Sequence, residues 1–160
     1  MIIDRIVIIG LGSIGKRHLA LARFFFPKSS IKVLTRHPEN DVDSLADDYL
    51  TSLEDTKKFN PQLAVIANPA PFHIEAGIVM ASVGAHTLIE KPLSNDISGI
   101  GELISVYQNS SAQVLIGYNI RFNESFRRFR DLYQSGVIGR LLSIRAEVGQ
   151  YLPNWRKDTD

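Results

Sequence analysis

The chain of 160 residues contains no cysteine. Disulfide frameworks, thiolate zinc sites and cysteine nucleophiles are therefore excluded. Tryptophan occurs once and methionine twice. No apolar run approaches the ~20 residues a membrane helix needs. The longest early run, Ile6 to Ile9, is cut short by Gly10, well below the apolar core of a secretory leader. There is no strong excess of either charge, the net value being +1. Basic residues cluster only briefly, as at Arg127-Arg128 and Arg130, so neither nucleic acid nor an anionic membrane is expected as a partner. These absences fit a soluble protein of a reducing cytoplasm.

What is present is ordinary globular material, 44% hydrophobic and 22% charged, and its order is informative. Short β-branched runs alternate with helical patterns: Arg5–Ile9, Ile31–Leu34, Leu63–Ala67, His86–Ile89 and Gln113–Ile116 read as strands, with a shorter one at Tyr49-Leu50. The intervening helices are expected over Ile14–Phe26, Val42–Asp48, Leu53–Phe59, Pro71–Val83 and Ile97–Asn109. Gly84 is expected to cap the fourth of these. The repeated β-turn-α pattern predicts an α/β fold, a doubly wound parallel Rossmann sheet with right-handed crossovers. Phe24-Phe25-Phe26 reads as core and helix-end packing. After Tyr118 the pattern changes. Glu124–Gln134 is a charged helix, and Leu141–Val148 alternates as a half-exposed strand should. The expected division is a dinucleotide-binding domain over residues 1–118, followed over 119–160 by the incomplete start of a second α/β domain.

Gly10-x-Gly12-x-x-Gly15 follows a strand and opens a helix, the context in which this spacing binds a dinucleotide. Gly10 permits the tight turn, Gly12 lets backbone approach the pyrophosphate, and Gly15 allows close packing of helix on strand. The helix N-terminus, with Ser13 and Ile14, offers unpaired N–H groups and a partial positive charge. At the end of the second strand stand Thr35, Arg36 and His37, where a carboxylate would bind the adenosine ribose. Arg36 and the Thr35 hydroxyl instead suit a 2′-phosphate. The residues thus favour NADP(H), with NAD(H) left open.

The glycine loop with Lys16-Arg17-His18, then Asn68-Pro69 with His73, then Glu90-Lys91-Pro92-Leu93, then Gly117-Tyr118-Asn119-x-Arg121-Phe122, fall in one order. This set resembles the glucose–fructose oxidoreductase and inositol 2-dehydrogenase (Gfo/Idh/MocA) family across the whole chain. The resemblance implies hydride transfer between a nicotinamide cofactor and a sugar, cyclitol or nucleotide-sugar alcohol or ketone. It implies that Lys91 reaches the substrate hydroxyl or its catalytic neighbour, that Glu90 lies beside the nicotinamide ribose, and that Asn68 and Pro69 line the nicotinamide side with His73 near it; the other reading of His73 is a residue that caps or packs at a helix start. Asn119 and Arg121 would line the substrate cleft, a salt bridge at the domain junction being the other reading of Arg121, and Trp155-Arg156 resembles a pair near the cofactor in some members. His18 is read as structural. Lys91 is also sensible chemically: a cation beside the reacting oxygen stabilises the negative charge that develops as hydride leaves carbon. No metal is expected.

Family members run to roughly twice this length and supply an aspartate–histidine motif from the second domain; here no histidine follows His86. The expectation is a chain that binds cofactor without full activity. Homo-oligomerisation through residues 141–160 would cover the strand there. An alternative is a non-catalytic NADP(H)-sensing module, and some relatives use a transiently reduced cofactor to cleave glycosidic bonds.

Overall fold

The structure, a computed structural model, describes residues 2–36 and 43–149. It divides the chain into two compact units, Met1–Tyr118 and Asn119–Asp160.

The first unit is built on six parallel strands: β1 (Arg5–Ile9), β2 (Ser30–Leu34), β3 (Asp48–Leu50), β4 (Leu63–Ile66), β5 (His86–Ile89) and β6 (Val114–Ile116). Their order is β3-β2-β1-β4-β5-β6, which reverses between β1 and β4 and so opens a crevice at their carboxyl ends. Both faces of β1 are covered. Ile6 and Ile8 join a core with Leu19, Ile31 and Val33, while Val7 and Ile9 join another with Ile66, Met80 and Ile89. This explains why β1 reads as a continuous apolar run rather than an alternation.

Helix α1 (Ser13–Phe25) presents Gly15, Leu19 and Ala22 to the first core, the i, i+4, i+7 stripe of a surface helix. It ends where the Phe26 N–H bonds the Ala22 carbonyl at 2.8 Å, with Pro27 just beyond. Helix α2 (Leu53–Phe59) starts at Ser52, whose Oγ accepts the Asp55 N–H, and stops at Asn60 in the left-handed conformation. A 3-10 turn (Ala70–Phe72) leads into α3 (His73–Ser82). Helix α4 (Ile100–Gln108) packs beside α3.

Several expectations are corrected. There is no helix over residues 43–48: Asp43 Oδ1 accepts the Leu45 N–H and Asp47 Oδ2 accepts the Ile31 N–H of β2. These carboxylates bind backbone outside a helix ladder, the competition that disfavours aspartate inside helices. Val42 lies outside the described residues. Helix α4 starts at Ile100, not Ile97, because Gly99 before it adopts a positive φ of 72°. Phe26 packs against the first core, but Phe24 and Phe25 are exposed, 76% and 66%, with their rings edge to face 5.1 Å apart.

The second unit holds a 3-10 turn (Asn119–Phe122) and α5 (Glu124–Gln134). Asn123 caps α5, its Oδ1 accepting the Ser125 and Phe126 N–H groups. The expected strand over Leu141–Val148 does not form; residues 141–149 have no regular secondary structure and are exposed. Alternation selects a face, but a strand also needs a neighbour for its N–H and C=O groups, and among the described residues none pairs with this segment.

Candidate functional site

The candidate residues stand at the carboxyl ends of four strands, β1, β2, β4 and β5. After β1 comes Gly10, with φ 93°, whose N–H donates to the Leu34 carbonyl at 2.8 Å. A Cβ on Gly10 would stand 2.6 Å from the Asn68 nitrogen, so the loops after β1 and β4 touch backbone to backbone. A Cβ on Gly15 would overlap the Gly10 carbonyl oxygen, which fixes the helix close to the strand. Gly12 differs. Its φ is −66°, which suits any residue, and among the described residues nothing lies within 4 Å of where its Cβ would be. It fronts open space at the start of α1, where no side chain caps the helix and the first turn carries no acid. Ser13 and Ile14 are exposed there.

At the end of β2, Thr35 is buried, 7% exposed, and its N–H reaches the Leu50 carbonyl at 3.3 Å. Arg36 is exposed, and its guanidinium sits over the Phe72 ring, 4.5 Å from the centroid. That contact places the cation against the face of the ring. His37 lies outside the described residues, as do Trp155 and Arg156.

After β4, Asn68 carries a buried Oδ1 with no hydrogen-bond partner among the described residues, and Pro69 is exposed. His73, the first residue of α3, is 1% exposed. Its Nε2 lies 2.7 Å from the Asn68 carbonyl oxygen and its Nδ1 2.9 Å from that of Pro92. Both polar atoms of the ring therefore face backbone.

After β5, Glu90 is held from two sides. His18 Nε2 meets Glu90 Oε1 at 2.8 Å, both side chains being mostly buried, and the Lys91 N–H donates to Glu90 Oε2 at 3.2 Å. The carboxyl also fills the space beside Gly117, where a Cβ would approach it to 3.1 Å. Lys91 is exposed at the strand's end, and the peptide between it and Pro92 is cis. The pairing of His18 with Glu90 spans 72 positions and was not foreseen. The available signal was its place three residues after Gly15, on the face of α1 that meets the sheet.

Asn119 and Arg121 belong to the second unit, exposed in its 3-10 turn. Among the described residues no cluster of histidine and carboxylate groups could hold a metal, and no helix is long and apolar enough to cross a membrane.

A parallel sheet whose strand order reverses between β1 and β4 defines a Rossmann-type α/β domain, and comparison with known proteins agrees. Residues 5–118 match the family model of the Gfo/Idh/MocA oxidoreductases, described as an oxidoreductase family with an NAD-binding Rossmann fold. The chain belongs to this family. It is 27% identical over 94% of its length to a levoglucosan dehydrogenase from Pseudarthrobacter phenanthrenivorans, covering 41% of that protein. It is 23% identical over 85% of its length to a myo-inositol 2-dehydrogenase from Thermotoga maritima, covering 42%. The fold matches a scyllo-inositol dehydrogenase from Lactobacillus casei, solved with NAD(H) and scyllo-inositol, with a TM-score of 0.75 and 24% identity. That match covers 86% of this chain and 42% of the other. The chain thus spans about two fifths of the length of these relatives.

Proposed function

We propose that this chain is the cofactor-binding part of a dehydrogenase that moves hydride between a nicotinamide dinucleotide and an alcohol or ketone carbon of a sugar, cyclitol or nucleotide sugar. The observation that carries the reading is the empty space before Gly12, facing the uncapped start of α1. Backbone N–H groups at a helix start, with the partial positive charge there, suit a pyrophosphate. The orphaned Asn68 oxygen supports the same reading: a buried acceptor left unmet costs about 1–3 kcal/mol, which a ligand donor would relieve. A bound nicotinamide supplies the hydride acceptor or donor. Glu90, fixed by His18, suits the hydroxyls of the adjoining ribose, and Pro69 borders the same side.

Lys91 is assigned to the reacting oxygen. In the oxidising direction the substrate carbon gives up hydride and its hydroxyl gives up a proton. An ammonium beside that oxygen stabilises the alkoxide character that builds up, and so makes it easier for the hydroxyl proton to pass to water. Asn119 and Arg121 are assigned to the substrate, and residues 119–160 to the start of the domain that would hold it. Pairing of chains through residues 141–160 is part of the same reading; an unchanged size-exclusion profile after their removal would exclude it.

The decisive test is titration of NADH fluorescence with the wild-type chain and with Gly12→Ala. The variant's Cβ meets no atom of the described residues, so its melting temperature should match the wild type's while NADH affinity falls by about tenfold or more. Wild-type protein that binds no nicotinamide dinucleotide overturns the proposal. Within it, Arg36 stacked on Phe72 suits a 2′-phosphate, favouring NADP(H) over NAD(H) despite the family's description. Arg36→Ala should lower the NADPH to NADH affinity ratio by about tenfold; an unaltered ratio removes this preference.

A further inference from the structure

We infer that the buried His73 ring is doubly protonated, and that as a fixed interior cation it locks together the loops that carry Asn68 and Lys91. Both ring nitrogens stand at hydrogen-bond distance from backbone carbonyl oxygens, 2.7 Å for Asn68 and 2.9 Å for Pro92. A carbonyl oxygen only accepts. A neutral imidazole has one N–H, so its other nitrogen would point a lone pair at an oxygen. With the ring 1% exposed, solvent has little room to relieve that repulsion. Turning the ring over sets carbon atoms against both oxygens and leaves both carbonyls unmet. Only the imidazolium donates to both.

Two effects oppose the charge. Burial disfavours it, and the start of α3 is the positive end of a helix. Two charge-assisted bonds answer them, each about twice as strong as a neutral one.

The clamp has a consequence for the site, which rests on the function proposed above. Asn68 leaves β4 and Pro92 follows Lys91 at the end of β5, so one ring joins two strand ends. Asn68 in turn abuts Gly10. On the other side of Lys91, Glu90 is tethered to α1 by His18. Lys91 is therefore held between two histidine tethers, and His73 is a positioning residue that sets where Lys91 stands relative to the glycine loop.

The test is a long-range proton–nitrogen NMR spectrum of the 15N-labelled wild-type chain at neutral pH. Both His73 nitrogens should carry protons; one protonated and one bare nitrogen overturns the inference. NADH titration of His73→Gln, which keeps one donor, and His73→Phe, which keeps none, then reads the positioning role. The phenylalanine variant should bind about tenfold more weakly and the glutamine variant fall between. Affinity equal to wild type in folded variants overturns the role. If His73→Phe does not fold, the wild-type spectrum and His73→Gln decide. Wild-type protein that binds no dinucleotide but shows the doubly protonated ring would refute the proposed function and leave the protonation standing.

Discussion

Helices α1 and α5 are both patterned with one apolar stripe, yet their surroundings differ completely. In the first unit Leu19 of α1 is fully buried against β1 and β2 residues. In the second, Phe126, Phe129 and Tyr133 of α5 remain 57%, 49% and 44% exposed, and residues 119–149 are exposed apart from the half-buried Leu132. Periodicity specifies which face is apolar. It does not supply the surface that covers it, and burial rather than pattern produces stability.

The sharpest way to break this contrast is to strike the backbone contacts of the first unit. Gly15→Ala would drive a methyl into the Gly10 carbonyl, and Gly10→Ala would add both a clash and a strained positive φ. Each should cost about 3 kcal/mol or more, seen as loss of the cooperative melt. Next, Leu19→Ala should cost about 3 kcal/mol by leaving a cavity, whereas Phe129→Ala should stay within about 0.5 kcal/mol in urea unfolding. A comparable loss from Phe129→Ala would mean that α5 is covered in solution.

Gly12→Ala separates ligand space from fold, since it should alter binding alone. The smallest effect concerns Asp47. Burial pushes its carboxyl up, but the Ile31 N–H and Arg23 outweigh that and hold it below the ordinary carboxylate value. A lowered folded value stabilises above the ordinary carboxylate range, and that contribution is lost as pH falls through the lowered value. Because Asp47 is half-exposed, solvent screening limits this to about 0.5 kcal/mol. Asp47→Asn should flatten the acid side of the stability profile by that amount; an unchanged profile would remove Asp47 from the account.

Much of the first unit was legible because its signals are local. An apolar run, a glycine turn and a helical stripe are each complete within about a dozen residues, and β1 with Gly10-x-Gly12-x-x-Gly15 contains all three. The aspartates around residue 45 misled because their carboxylates bind backbone instead of facing water from a helix. Leu141–Val148 misled because a strand is a property of two chains' edges, and its sequence describes only one. At the site, residue types were legible and partnerships were not. His18 with Glu90, His73 with Pro92 and Arg36 with Phe72 join positions 72, 19 and 36 apart, and only the crossing of strands between them makes each pair neighbours.

The contact between Gly10 and Asn68 links recognition to cooperativity. These loops leave β1 and β4, strands paired to each other and to neighbours on their outer sides. Neither loop can shift far without opening the hydrogen-bonded centre of the sheet. Their ordering is thus completed when the chain folds, and a ligand meets a preorganised surface. It follows that affinity and global stability are coupled in this protein: a change that loosens β1, however distant from the glycine loop, should weaken dinucleotide binding by raising the population of locally opened chains.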